Sequence, residues 1–206
     1  MQEVPVVLSI ISAFSQLKTA DFNGTYQPDP RVTHDVEPRG GNTIWSEDFA
    51  SGIPSDWGIS TLSGPVIWKY TMVGHTGSYP TAPLASTTSG NGWIIVDSDG
   101  DNTSGGANED SRIISHKIDL TGYPNVKLQF QQMFRRWQSD ITTVQISTDS
   151  VTWTDYVING SITQSGTSNP DYVNIDISTI AGNQSAVWVS FWWQGAWDYG
   201  WQIDDI

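Results

Sequence analysis

The chain closes on Trp188-Val-Ser-Phe-Trp192-Trp193-Gln-Gly-Ala-Trp197-Asp-Tyr-Gly-Trp201-Gln-Ile-Asp204-Asp205-Ile206. Its side chains alternate with the period of two that a half-buried β-strand requires, and it divides into two predicted strands, 186–194 and 200–206. In the second, Trp201, Ile203 and Asp205 share one face while Gln202, Asp204 and Ile206 share the other. One aspartate therefore lies on the side of the core aromatics and needs a metal, a backbone donor or an arginine as partner; parity alone does not say which aspartate is a ligand. The adjacent Trp192 and Trp193 must point to opposite faces.

Working back toward the N-terminus, short runs rich in Val, Ile, Thr and aromatics recur between Gly, Pro, Asn, Asp and Ser clusters, the pattern of strands punctuated by turns. Further strands are expected at 44–49, 57–61, 66–72, 92–97, 112–118, 125–136, 141–148, 153–158 and 172–177. No helical period appears after residue 43, so the class is all-β and two antiparallel sheets are the natural closure. In Val126-Lys-Leu-Gln-Phe-Gln-Gln-Met-Phe the alternation slips at Gln131-Gln132, and a bulge there would return Met133 to the apolar face. Val144 to Trp153 reads as a hairpin turning at Asp149-Ser150. It is similar to a single Asp-box turn of sialidases, but one copy reads as a structural hairpin.

The N-terminal part differs. Val7, Ile10, Ile11, Phe14 and Leu17 sit at helical spacing, which predicts one amphipathic helix over 7–18. From Thr19 to Asn42, Pro28, Pro30, Pro38 and Gly40-Gly41 break up a polar stretch that suits an arm. The expected organisation is an N-terminal segment and arm over 1–43, followed by one β-domain over 44–206.

Composition narrows the function classes. Nine basic residues face 22 acidic ones, a net charge of −13, so binding to nucleic acid or to an anionic membrane is not expected, because neutralising a polyanion needs clustered Lys and Arg. No segment reads as a membrane span, since Val6 to Phe14 is too short and polar-flanked, and the start Met1-Gln-Glu-Val-Pro lacks the basic region of an export signal. Only Glu3, Glu37, Glu47 and Glu109 are glutamates and the remaining acids are Asp, a residue that favours turns and oxygen-ligand cation sites. With no Cys, cross-linking must come from packing or from a hard cation.

Asp97-Ser-Asp99-Gly-Asp101-Asn102 is the densest set of oxygen donors. It has alternate carboxylates and a Gly that lets a loop curl around calcium, although it lacks EF-hand spacing; its alternative is a solvated acidic turn. Calcium needs six to eight oxygens, so donors from elsewhere are required. Glu47 and Asp48, Glu109 and Asp110, and Asp204 and Asp205 are the candidates. Arg135-Arg136-Trp137 sets a guanidinium beside an aromatic plane, a candidate sugar or protein contact. Trp137, Trp193 and Trp197, with Arg136, are the candidate ligand-contacting residues. His34, His75 and His116 are isolated in sequence, and Gly-x-Ser-x-Gly, His-Glu-x-x-His and phosphate-loop motifs are absent, so catalysis is not expected.

Four segments together carry a resemblance: Trp45-Ser-Glu-Asp-Phe49-Ala-Ser-Gly-Ile-Pro54-Ser-Asp-Trp57, Gly92-Trp-Ile-Ile-Val-Asp-Ser-Asp99, Ser111-Arg-Ile-Ile-Ser-His-Lys-Ile-Asp-Leu120, and Trp201-Gln-Ile-Asp-Asp205. Over residues 44–206 the chain resembles the cleaved-adhesin, or choice-of-anchor J, domains, MAM-like jelly rolls of surface proteins secreted by Bacteroidetes. The resemblance implies a jelly roll with calcium between the first strand, a nearby loop and the last strand, with Glu47, Asp99 and Asp204 as leading ligands. It also implies secretion and adhesion to a protein or glycan at a cell surface. The alternatives are a carbohydrate-binding accessory domain, marked by a row of exposed coplanar aromatics, a glycoside-cleaving jelly roll, and a structural subunit whose arm pairs with a partner chain's edge.

Overall fold

The computed structural model describes residues 29–34, 41–103, 107–138, 140–163 and 165–206. The strands are β1 (Val32–His34), β2 (Gly58–Ser63), β3 (Lys69–Thr71), β4 (Trp93–Asp97), β5 (Glu109–Ile114), β6 (Lys127–Arg135), β7 (Ile141–Ser147), β8 (Thr154–Val157), β9 (Asp171–Asp176), β10 (Trp188–Gly195) and β11 (Gly200–Asp204). One sheet has the order β1-β9-β6-β11-β4-β3 and the other β2-β5-β10-β7-β8, with every pairing antiparallel. From β4 onward the chain passes from sheet to sheet at each step except β7 to β8, a jelly-roll winding that buries the inner faces of both sheets. The predicted two-sheet sandwich is therefore the observed one.

The interior is aromatic. Trp68 and Trp201 meet with ring centres 5.6 Å apart, Phe130 and Phe191 at 5.2 Å, and Phe191 and Trp201 at 5.8 Å, all tilted toward edge-to-face, the geometry that ring quadrupoles favour. Large rings thus span the gap between sheets in a chain that has no disulfide.

A second, smaller core explains why β4 is apolar without alternation. Ile94 and Val96 join the main interior, whereas Trp93 and Ile95 face outward and pack with Leu84 and Met133. The segment running up to residue 91 covers that outer face: Leu84 N donates to Gln202 Oε1 and Gln202 Nε2 donates to Ala82 O. A strand covered on both faces reads as a continuous apolar run.

The same cover removes the need for the predicted bulge. β6 keeps one register through Gln131 and Gln132 against both β9 and β11. Met133 points to the outer cluster and Gln132 points inward, fully buried. Its side chain is a polar hub: Oε1 accepts from Trp201 Nε1 at 2.6 Å and Asn159 Nδ2 at 3.1 Å, and Nε2 donates to Asn159 Oδ1 and Asp171 Oδ2. A fully satisfied polar residue can occupy a core position that the sequence pattern reserves for an apolar one.

Residues 44–49 do not form the predicted strand. Glu47 and Ile206 exchange both backbone hydrogen bonds, at 2.9 and 3.0 Å, and Phe49 then takes φ 52°, which ends the pairing after one residue. The predicted helix over 7–18 lies outside the described residues. Within the segment assigned to the arm, β1 pairs with β9, placing Val32 opposite Ile175, so this part of it adds an edge to the chain's own sandwich.

Replacing Gln132 with Ala strands the Trp201 indole N–H and Asn159 Oδ1, while Asp171 keeps His34 and Asn159 Nδ2 keeps Thr142. Gln132→Ala is expected to lower the unfolding free energy by about 3 kcal/mol, read from urea denaturation with unchanged far-UV circular dichroism. A loss below about 1 kcal/mol would refute the hub.

A candidate binding pocket at one end of the sandwich

Six strand ends meet at one end of the molecule: β4 leaves at Asp97, β5 enters at Glu109, β6 leaves at Arg135, β7 enters at Ile141, β10 leaves at Gly195 and β11 enters at Gly200. Their connections are held by one buried carboxylate. Glu109 Oε1 accepts from Ser98 Oγ at 2.7 Å, Asn102 Nδ2 at 2.8 Å and Trp197 N at 3.1 Å, and Oε2 accepts from Trp193 Nε1 at 2.8 Å. Ser98 Oγ in turn accepts from Asp198 N at 2.7 Å. The Trp197-Asp198-Tyr199 turn is thereby pinned against the Ser98–Asp101 helical turn, α1.

The turn is sharp and depends on glycine. Gly200 has φ 141°, and a Cβ there would lie 2.1 Å from Val96 O and 2.7 Å from the His75 ring. This clash accounts for the Gly between Tyr199 and Trp201. Gly77, at φ 83°, lets its backbone approach Asp99, where a Cβ would fall 2.6 Å from Asp99 Oδ2. The same oxygen accepts from Tyr79 N, which draws Tyr79 to the pocket edge.

The result is a cavity of about 160 Å³ lined by Tyr79, Asp99, Trp137, Trp197, Asp198 and Tyr199. Trp137 is 52% exposed and Trp197 41%. Tyr79 and Tyr199 stand 6.3 Å apart with their planes at 70°, so they form adjoining walls. Asp198 Oδ1 accepts from Gln138 N at 2.6 Å and Oδ2 from Ala196 N at 3.2 Å. Burial nevertheless raises its carboxyl to about 6. Behind it, burial and the neighbouring Asp198 push Asp140 well above the usual carboxylate range. Both Asp140 oxygens lack a hydrogen-bond partner, although Arg136 Nε stands 3.1 Å from Oδ1 as an ion pair without hydrogen-bond alignment.

Two of the four candidate contact residues, Trp137 and Trp197, thus come together, and two do not. Trp193 is fully buried in the main core, its N–H committed to Glu109, because the strand phase that exposes part of Trp192 turns Trp193 inward. Arg136 is spent on Asp140, on Ile162 O at 2.6 Å and on Gln138 O at 3.2 Å. Tyr79, Asp198 and Tyr199 were not singled out by the sequence. The Trp197-Asp-Tyr199 clustering was a usable signal for two of them; Tyr79 arrives from an irregular segment with no periodicity to mark it.

The candidate cation ligands separate into two groups. Gly200 pairs with Asp97 and Asp204 with Gln131 along β11, so the Asp97–Asp101 turn and the terminal aspartates lie at opposite ends of a strand that rises about 3.4 Å per residue. Glu47, Asp99 and Asp204 therefore do not converge. In the first group Asp97 Oδ2 accepts from Thr76 N and Oγ1 and Oδ1 from Gly100 N, while Asp101 pairs with Lys69 at 2.6 Å. In the second, Asp204 Oδ2 accepts from Ser86 Oγ and Thr88 Oγ1, and Asp205 accepts from Thr88 N and Oγ1. Asp48 Oδ2 accepts from Asn91 Nδ2 at 3.0 Å, and Glu47 Oε1 from Phe49 N at 2.7 Å. Asp204 Oδ1 is buried with no partner, and burial raises this carboxyl to about 6. Among the described residues no three His, Asp or Glu side chains are arranged to hold a metal ion.

Comparison with solved structures places this architecture. The K1 cleaved adhesin domain of Lys-gingipain from Porphyromonas gingivalis W83 superposes with a TM-score of 0.52 at 19% identity, covering 80% of this chain and 96% of that domain. The chain has the fold of a cleaved adhesin domain. The K3 domain of the same protein gives a TM-score of 0.50 at 18% identity, covering 79% of this chain and 95% of that domain. The sequence matches no protein-family model and no curated protein. At this identity the likeness to cleaved adhesin domains is one of fold.

The raised carboxyls give this adhesin-fold domain a pH signature. Asp198 and Asp204 hold protons up to about pH 6 when folded, whereas the unfolded chain releases them near pH 4. Stability therefore falls as pH rises from about 4 to 6 and the cost persists above it. Carboxyls held low, such as Asp149 at about 2, act only below that window, whereas burial lowers the His75 imidazole to about 4 and so opposes part of the fall over the same range. In metal-free buffer the melting temperature is expected to fall from pH 5 to pH 7, and this fall to shrink in Asp198→Asn and in Asp204→Asn; a profile that neither substitution changes would contradict the burial of these acids.

Proposed function

We propose that this chain is a non-catalytic surface adhesion module that contacts its partner through the pocket of Tyr79, Trp137, Trp197 and Tyr199. The observation that carries this reading is the convergence of two half-exposed tryptophans and two tyrosines on one concave site at the loop end of a rigid sandwich. Aromatic anchors in a pocket supply most of the energy of protein contacts, and loops on a rigid scaffold are where binding sites concentrate. The shared fold with cleaved adhesin domains supports the same reading, as does the choice-of-anchor J resemblance of the Trp45–Trp57 and Trp201–Asp205 motifs. An extracellular or cell-surface location follows from it.

Catalysis fits the pocket poorly. Both Asp198 oxygens are engaged by backbone donors. A cavity of about 160 Å³ compares with the ~150 Å³ that takes one benzene ring, and a glycosidase must hold two sugar units across the scissile bond.

A panel of extracellular proteins and a glycan array, probed with the whole chain, test the adhesion reading. Trp137→Ala and Trp197→Ala are each expected to weaken the strongest signal by about tenfold or more, as truncation of a central aromatic anchor does, with unchanged melting temperature. Signals indifferent to both substitutions would sink the proposal.

Calcium belongs to the same proposal as a stabiliser. The all-oxygen set of Asp204, Asp205, Ser86 and Thr88 suits a hard cation in kind, and Asp204 Oδ1 offers a buried acceptor without a partner. A cation held there would offset the cost of ionising a buried carboxyl at neutral pH. Calcium at 1 mM is then expected to raise the melting temperature at pH 7, and EGTA to reverse the gain; identical melts with and without EGTA would remove calcium from the account.

A further inference from the structure

Resting on the adhesion reading of the same pocket, we infer that its occupant is a cationic side chain of a partner protein, a lysine ammonium or an arginine guanidinium. Three observations lead there. The rings enclose more than they pave: Tyr79 and Tyr199 meet at 70°, whereas stacking a sugar calls for a flat, coplanar platform. Aromatic faces set around a small space attract a cation through their quadrupoles.

The polar groups of the pocket carry the complementary charge. Its two non-aromatic lining residues are Asp99 and Asp198, each at most 5% exposed. A carboxylate removed from water pays a desolvation cost that a cation alongside it offsets. Burial has raised Asp198 to about 6, more than the nearby Arg136 offsets. The cations of adjoining segments are engaged elsewhere, Arg136 with Asp140 and Lys69 with Asp101. Arg135 lies with its guanidinium carbon 4.4 Å from the centre of the Tyr199 ring, so this ring already accepts a guanidinium from within the chain. At a net charge of −13 the whole molecule draws cationic groups toward itself.

Size supports a single side chain. About 160 Å³ accommodates one ring-sized or alkylammonium group, given that ~150 Å³ holds a benzene.

The test uses the full chain and indole N–H resonances assigned with Trp137→Phe and Trp197→Phe. Nα-acetyl-lysine amide and Nα-acetyl-arginine amide are titrated beside the uncharged Nα-acetyl-norleucine amide and beside galactose and N-acetylglucosamine. The cationic probes are expected to shift the Trp137 and Trp197 resonances saturably, at least about fivefold more tightly than norleucine amide, and less tightly in 0.5 M salt. Asp99→Asn, which keeps an acceptor for Tyr79 N, is expected to weaken the cationic probes and leave norleucine amide unchanged. Equal binding of norleucine amide would overturn the cation assignment in favour of an apolar pocket, and binding of a sugar alone would overturn it in favour of a glycan site. In either case the adhesion reading survives. If no probe shifts these resonances, the cation assignment falls. The Trp137→Ala and Trp197→Ala adhesion measurement then decides separately whether the pocket binds a partner at all.

Discussion

One buried carboxylate holds the functional end of this molecule together. Glu109 starts β5, yet its two oxygens take hydrogen bonds from the Ser98–Asn102 turn, from Trp193 on β10 and from the backbone of Trp197 in the following turn. Four donors satisfy a charge that would otherwise be costly to bury, and they tie three segments to a single point. The position of Trp197 and, through Ser98, of Asp198 follows from that anchorage. The pocket is shaped from behind by interactions that never face it.

The opposite end of β11 is organised differently. There the chain returns on itself, with Glu47 and Ile206 exchanging backbone hydrogen bonds while Ser86 and Thr88 reach across to the terminal aspartates. Because the segment up to residue 91 also closes over Trp93, Ile95 and Met133, one element seals the outer sheet face and supplies hydroxyls to Asp204. The two ends thus divide the acidic residues, one set shaping a pocket and the other a closed polar cluster.

The antiparallel sandwich could be read from the sequence because strand alternation and turn residues are local properties. Most predicted strands appear within a few residues of their expected limits, and the turn at Asp149-Ser150 joins β7 to β8 as expected. The departures have separate causes. Gln131-Gln132 looked like a phase slip because a buried glutamine was not expected, and it is tolerated because Trp201, Asn159 and Asp171 complete its hydrogen bonds. Residues 44–49 carry strand-like side chains, but Phe49 turns away after a single pairing. Trp193 was grouped with Trp137 and Trp197 because all three are tryptophans, although only its strand phase distinguishes it.

By itself the sequence determined the class of fold, the two-strand ending and the aromatic character of the core, since each is written in neighbouring residues. It also marked Trp137 and Trp197 as contact candidates, and parity placed Asp205 beside the core aromatics as the acid needing a partner. Only the tertiary structure decided that those two tryptophans share a wall with Tyr79 and Tyr199, that Asp99 and Asp204 lie at opposite ends of the sandwich, and that Glu109 is a structural anchor. Such relations depend on which strand ends meet. That is set by sheet order and crossover, long-range quantities to which no local pattern of residues is sensitive.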